Sequence, residues 1–189
     1  MTPEPIEEAE LQRLVRKAQE GDSDAFERVY SQFFLPIYRY TAFRVPAEAA
    51  EDIVADIFVK AWEKLHQYSA QKGVPFGAWL FRIARHTIID NYRKDRSYDE
   101  LSEELMDTDD FNRADTRVKS ADTLRIVRES LAKLPTRYRD ILLLSYVAGL
   151  PHSEVARVLR MSEGGVRILK FRALKKLEGL LPPEMRNLA

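Results

Sequence analysis

The sequence predicts an all-α protein: two small helical domains joined by an acidic linker, the C-terminal one containing a helix-turn-helix. Three observations carry that expectation. Apolar residues recur at three and four residue spacing in segment after segment on both sides of the middle of the chain. Between the two halves, residues 97–123 hold nine acidic residues against three basic ones, with few apolar repeats. Near the C-terminus two helical patterns follow each other across the short connection Arg160–Met161, as in a helix-turn-helix. The expected boundaries are a first domain at 8–96, a linker at 97–121 and a second domain at 122–181.

In the first domain, Leu11, Leu14, Val15 and Ala18 mark a helix that Gly21 and Asp22 interrupt. A second helix from near Asp24 carries Phe26, Val29, Tyr30, Phe33, Phe34, Ile37 and Tyr40, an aromatic-heavy core face. After Pro46, the segment AEAAEDIVADIFVKAWEKL places Ala50, Ile53, Val54, Ile57, Phe58, Ala61 and Leu65 on an apolar stripe. Asp52, Asp56, Lys60 and Glu63 fall outside that stripe. Gly73 and Pro75 then stop helical repetition within YSAQKGVPF, 68–76.

A fourth helix is expected from Ala78 to about Arg96, AWLFRIARHTIIDNYRKDR. At ~100 degrees per residue, Arg85, His86, Ile89, Arg93 and Arg96 lie within about 60 degrees of Arg82. Leu80, Ala84, Thr87 and Ile88 lie on the other side. One helix thus turns a basic stripe without an acidic member outward and buries its back.

In the second domain, TLRIVRESLAKL (123–134) sets Leu124, Val127, Leu131 and Leu134 on one face and ends before Pro135. Thr136 is expected to cap RYRDILLLSYVA, which stops at Gly149, and HSEVARVLR (152–160) carries Val155, Ala156 and Leu159. SEGGVRILKFRA comes next, with Ser162 as N-cap and Glu163 placed where its charge suits the helix dipole. Gly164 and Gly165 then sit in the first turn, at a cost of about 0.5–1 kcal/mol each relative to alanine. What they offer is close approach of backbone to a partner, including first-turn N–H groups facing a phosphate. A nucleotide loop is a poorer reading, because it needs a longer glycine pattern after a strand, and no strand candidate precedes this one.

On a helical wheel from Val166, residues Leu169, Ala173, Leu174 and Leu177 form the inner face, with Lys170 at its edge. Arg167, Ile168, Phe171, Arg172 and Lys175 form the outer face. Outward Ile and Phe among cations suit contact with thymine methyls beside arginine bonds to guanine or phosphate. An ordinary amphipathic helix with exposed apolar residues is the plainer alternative.

Whole-chain properties exclude several classes. The 189 residues are 45% hydrophobic, so the chain is not disordered throughout. Thirty basic residues balance thirty acidic ones, so only local clustering argues for a nucleic-acid partner. Without cysteine there is no disulfide or thiolate metal site, which suits a reducing compartment. The opening MTPEPIEEAE lacks the basic-then-apolar order of a signal peptide, and no apolar run reaches the roughly 18 residues of a membrane span. His66, His86 and His152 show no metal-ligand spacing, and no carboxylate pair sits beside a nucleophile. The expectation is therefore no enzyme, no metal, no cofactor and a cytoplasmic location.

Taken together, AEDIVADIFVKAWEKL, FGAWLFRIARHTIIDNYRKDR and LAKLPTRYRDILLLSYVAGLPHSEVARVLRMSEGGVRILKFRALKKL resemble a sigma factor of the sigma-70 family, of the extracytoplasmic-function type. The match covers most of residues 8–181 in the family's order. The C-terminal unit alone would also resemble the DNA-binding domain of many activators.

The resemblance implies a promoter-specificity subunit of bacterial core RNA polymerase. Its first domain would dock on the polymerase clamp and open and hold the non-template strand of the minus-10 element. Its second would read the minus-35 duplex. By the same resemblance Asp52, Ile53, Asp56 and Phe58 would meet the clamp, and Arg82, Arg85, Arg93, Lys94 and Arg96 would meet DNA near the melted edge. The loop at 69–76 would capture a flipped base, with Trp79 beneath it; for Trp79 alone, core packing is the plainer role, and Arg82 or Arg85 could instead pair with an acidic neighbour. Ser162, Gly164, Gly165, Arg167, Ile168, Phe171, Arg172 and Lys175 would face the promoter.

Departures stand at His86, where asparagine is common, Ala55 for glutamine, Arg160 for a turn glycine and Gly165 for threonine. Leu169 and Lys170 reverse a common basic-then-apolar order. The family also implies an anti-sigma factor as regulator and a place on the nucleoid when bound to polymerase. A helix-turn-helix regulator acting without core polymerase, or a helical adaptor that binds no DNA, would share much of this pattern. The linker is either a solubilising spacer or an acidic mimic of nucleic acid.

Overall fold

The computed structural model describes residues 6–70, 73–98 and 117–185, with side chains through residue 92 and again from 122. Eight α-helices and no strand occur among them. The chain divides into two compact units near residue 100.

Four helices build the first unit: α1 Glu8–Gln19, α2 Ser23–Ala42, α3 Ala47–Lys64 and α4 Phe76–Tyr98. Gly21 separates α1 from α2 with φ +96°, a conformation glycine takes at little cost. The Asp22 side chain then accepts the Ala25 N–H at 3.0 Å and satisfies one of the orphan donors of α2. α1 packs on α2, α2 on α3 and α3 on α4. The interior is filled by the stripes the sequence laid out, with Val15, Val29, Ile37, Tyr40 and Ile57 fully enclosed, and by Phe81 of α4, which the sequence reading did not place there. Each such aliphatic or aromatic side chain contributes roughly 1.5–3 kcal/mol when removed from water.

The aromatic face of α2 is only partly interior. Phe26 stacks edge-on against Trp62 at 4.7 Å, and Tyr30 meets Phe58 at 4.6 Å and Phe34 at 5.3 Å. Tyr30 and Phe34 nevertheless keep over a third of their surface in solvent.

The second unit contains α5 Arg117–Ala132, α6 Thr136–Leu142, α7 His152–Leu159 and α8 Glu163–Leu180. α8 is the hub, against which α5, α6 and α7 all pack. α6 continues into a π turn at Leu143–Val147, where the Ala148 N–H reaches back to the Leu143 carbonyl at 2.9 Å. Ile141, Leu142, Leu143 and Leu144 are all buried in succession, so this part of the chain is enclosed on every side. Gly149, φ +71°, then reverses the chain.

Several boundaries and faces differ from expectation. α4 starts at Phe76 and reaches Tyr98, and α5 starts at Arg117, inside the expected linker. Helical residues that carry no apolar stripe leave no periodicity to detect. Residues 99–116 of the linker lie outside the described residues. Leu124, assigned to an inner face, is 50% exposed; among the described side chains of α5, full burial is confined to Ser130 and Leu131 at its C-terminal end, with Leu134 just beyond. Thr136 is not a cap. The first turn of α6 closes on the Pro135 carbonyl, which accepts from the Tyr138 N–H at 2.8 Å and the Arg139 N–H at 3.1 Å. On α7, Val158 is buried in the place given to Leu159, since this short helix is flanked by both α8 and the π turn.

Candidate nucleic-acid interface

The basic helix α4 has the orientation its pattern dictates. Leu80, Ala84, Thr87 and Ile88 are buried, Arg82 and Arg85 are half-buried, and His86 is exposed. The side chains of Arg93, Lys94 and Arg96 lie outside the described residues, on the last turns of α4. The His86 Nδ1 lies 2.8 Å from the Arg82 carbonyl. A carbonyl oxygen only accepts, so Nδ1 is the donor in this contact.

The start of α4 is braced by rings. Tyr68, Phe76 and Trp79 form a triangle with centroids 5.2–5.4 Å apart. The Tyr68 hydroxyl donates to the Val74 carbonyl at 3.1 Å, closing the chain break over this cluster. From α1, the Gln19 amide donates to the carbonyls of Leu65 and Tyr68, both at 2.8 Å. Trp79 is half-buried in this packing.

Sequence reasoning missed a cleft between α3 and α4. It has a volume of about 240 Å³ and is lined by Lys60 and Lys64 from α3 and by Trp79, Arg82, His86 and Asp90, among others, from α4. Lys60 also bonds Asp56 at 2.7 Å. Lys60 was legible only as a polar residue outside a stripe and Lys64 was not singled out, since a single-helix wheel does not say which neighbour they border.

The outward face of α3 differs in character. Asp52 is exposed and Asp56 half-buried, but Ile53 and Phe58 keep only 6% and 5% of their surface. Those two support the helix from inside and are not available to a partner as the unit stands. Val59, 55% exposed, and Trp62, 42% exposed, are the apolar residues that reach the surface. By helical geometry they share a face with Asp52 and Ala55.

On α8, the Ser162 hydroxyl accepts the Gly165 N–H at 3.1 Å, forming the expected N-cap. That bond removes the Gly165 N–H from the set of free first-turn donors. A Cβ at Gly165 would meet the Met161 methyl at 3.0 Å and Ser162 Oγ at 3.2 Å, whereas one at Gly164 would meet nothing within 4 Å. Gly165 therefore serves the packing of the turn, and Gly164 leaves bare backbone facing solvent.

Arg160 adopts φ +54°, ψ +56°, the left-handed conformation in which glycine is favoured. The Met161 N–H donates to the Ala156 carbonyl at 2.9 Å, so the tight turn forms despite the side chain. Further along, Val166 and Ala173 are sealed, whereas Ile168 and Phe171 are 57% and 65% exposed. Arg167, Arg172 and Lys175 are exposed with them. Leu174, expected inside, is 38% exposed, and Lys170 lies with its ammonium 5.2 Å from the centre of the Tyr146 ring.

Both units match family models: sigma-70 region 2 over residues 29–98 and sigma-70 region 4 over residues 124–177. The chain belongs to the sigma-70 family. Over 182 residues it is 32% identical to the ECF RNA polymerase sigma factor BldN of Streptomyces coelicolor, covering 94% of this chain and 68% of that one. It is 26% identical over 155 residues to the ECF sigma factor SigM of Bacillus subtilis, with 82% and 93% covered. Among solved structures it resembles CnrH, a sigma factor of Cupriavidus metallidurans, in complex with the cytosolic domain of CnrY. That likeness has a TM-score of 0.69 at 28% identity over 90% of this chain and 96% of the other.

This sigma factor is thus of the ECF type and directs core RNA polymerase to specific bacterial promoters, promoting DNA opening for initiation. A helix-turn-helix regulator would account for the region 4 match and leave the region 2 match unexplained. The α3 and α4 faces fall inside the region 2 match, and α8 inside the region 4 match as far as Leu177. Among the described residues no helix is long and apolar enough to cross a membrane.

Proposed function

We propose that this sigma factor divides promoter recognition between its units, with residues 8–96 serving the minus-10 element and polymerase docking and residues 122–181 serving the minus-35 duplex. The observation that carries the reading is the outer face of α8. Arg167, Ile168, Phe171, Arg172 and Lys175 stand exposed opposite a sealed seam, at the second helix of a helix-turn-helix. Ser162 and Gly164 bring the start of that helix close to a phosphate, and Gly165 holds the turn that aims it.

In the first unit, Arg82, Arg85 and His86, with Arg93, Lys94 and Arg96 further along α4, attract the melted strand. The Tyr68, Phe76 and Trp79 cluster holds the start of that helix still. Opening costs a few kcal/mol per unstacked step, and capture of the exposed strand offsets it. Polymerase meets the outward face of α3 through Asp52 and Asp56, with Val59 and Trp62 supplying apolar area, while Ile53 and Phe58 shape that face from beneath.

The protein acts as a binding subunit with no catalytic group of its own, in the cytoplasm and on the nucleoid when polymerase-bound. The CnrH complex with the cytosolic domain of CnrY extends the proposal to an anti-sigma partner that would cover these faces. Purified core RNA polymerase supplied with this protein and a genomic promoter library tests the reading. Discrete start sites preceded by shared minus-10 and minus-35 elements are expected, and absence of specific initiation on every fragment would overturn it.

A further inference from the structure

We propose that the cleft between α3 and α4 is a binding site for a free nucleotide, a small phosphorylated molecule with a planar base, and that this ligand competes with the melted strand for α4. The competition rests on the reading that α4 meets that strand, whereas the site rests on the cleft alone.

The lining sets the chemistry. Lys60 and Lys64 stand one turn apart on α3, and Arg82 borders the same cleft from α4. Against these three cations the lining holds one carboxylate, Asp90. An excess of fixed positive charge in a recess with low-dielectric walls concentrates anions there. Lys60 shares its ammonium with Asp56 at 2.7 Å, a pair of part-exposed groups that holds it only weakly. Lys64 is exposed and makes no ion pair among the described residues. Arg82 adds a planar fork of donors that matches phosphate oxygens.

Charge alone would suit any anion, and Trp79 narrows the class. Its indole packs on Tyr68 and Phe76 at 5.4 and 5.3 Å, yet it is only half-buried and borders the cleft. A ring held still beside cations stacks a base while its neighbours neutralise the phosphate. Size narrows it further. At about 240 Å³ the cleft lies just below the roughly 300–1,000 Å³ of drug-sized ligand sites, which limits the occupant to about one nucleotide. Trp79 and Asp90 lie about 16.5 Å apart along the axis of α4. A single nucleotide stacked on Trp79 ends before that carboxylate, whereas a strand confined to the cleft would have to pass it.

Isothermal titration of the full chain with ADP tests the site. Saturable one-to-one binding is expected, with adenosine and ribose 5-phosphate each bound at least about tenfold more weakly, since each lacks one half of what the lining recognises. Lys64→Glu reverses a charge at an exposed position, so the fold is kept, and ADP should bind about tenfold more weakly or worse. Competition is read separately, by permanganate footprinting of holoenzyme on a promoter from the library selection with no other nucleotide present. ADP at the level that saturates wild type should slow its opening and leave the Lys64→Glu holoenzyme at its ADP-free rate. Absence of saturable binding, equal binding of ribose 5-phosphate, or binding unmoved by Lys64→Glu overturns the site and leaves the promoter reading standing. Binding as expected with opening unchanged overturns the competition, and with it the placement of the melted strand on α4.

Discussion

The two cation-bearing helices, α4 and α8, solve different problems. On α4 the cations Arg82 and Arg85 are half-buried and Arg82 lines a cleft, with Asp90 near them and an aromatic triangle bracing the first turn. On α8 Arg167, Arg172 and Lys175 are exposed, the central positions of that face are apolar, and the axis is set by a serine cap and a tight turn. A concave basic surface suits a strand whose bases have left their stack, whereas a convex one suits insertion into an intact groove. On the proposed division of promoter recognition, similar charge serves two forms of the same polymer because shape differs.

Breaking the seam behind α8 should have the largest effect. Ala173 has no exposed surface, so Ala173→Asp would bury an unpaired carboxylate and cost more than about 4 kcal/mol. Denaturant unfolding should show loss of the second unit, and binding to minus-35 duplex should vanish.

The comparison itself is sharpened by paired alanine variants. Arg172→Ala should lower affinity for minus-35 duplex about tenfold or more and leave strand separation, once bound, little changed. Arg85→Ala should do the reverse, slowing open-complex formation in a permanganate-footprint time course. Indistinguishable defects in both assays would erase the division between α4 and α8.

Two smaller changes probe how α8 is aimed. Ser162→Ala removes the cap of the Gly165 N–H and should cost about 1 kcal/mol, read as a lower denaturant midpoint. Arg160→Gly should move the midpoint the other way by a few tenths of a kcal/mol. It relieves the left-handed strain at φ +54°, a gain reduced by the greater freedom of unfolded glycine.

Much of the first unit was legible because its helices carry continuous apolar stripes, and the stripes of α1, α3 and α4 are the ones found inside. The outer face of α8 was legible for the same reason. What stayed hidden depends on pairs of elements. Lys60 and Lys64 acquire meaning only when α4 is laid beside α3. Ile53 and Phe58 belong to the stripe that the sequence itself displays, and resemblance alone had brought them to the surface. The early start of α5 escaped because it carries no apolar stripe, and the π turn because it departs from the ordinary helical period.

The π turn also shapes how this gene can vary. It carries one residue more than an ordinary turn and delivers Tyr146 to a position beside Lys170. Losing one residue of 143–147 would let the turn close to the ordinary period and leave its flanking segments in phase, whereas losing one from the regular turns of α8 would swing everything after it by about 100 degrees. This stretch is where the second unit can drop a letter and keep its sense.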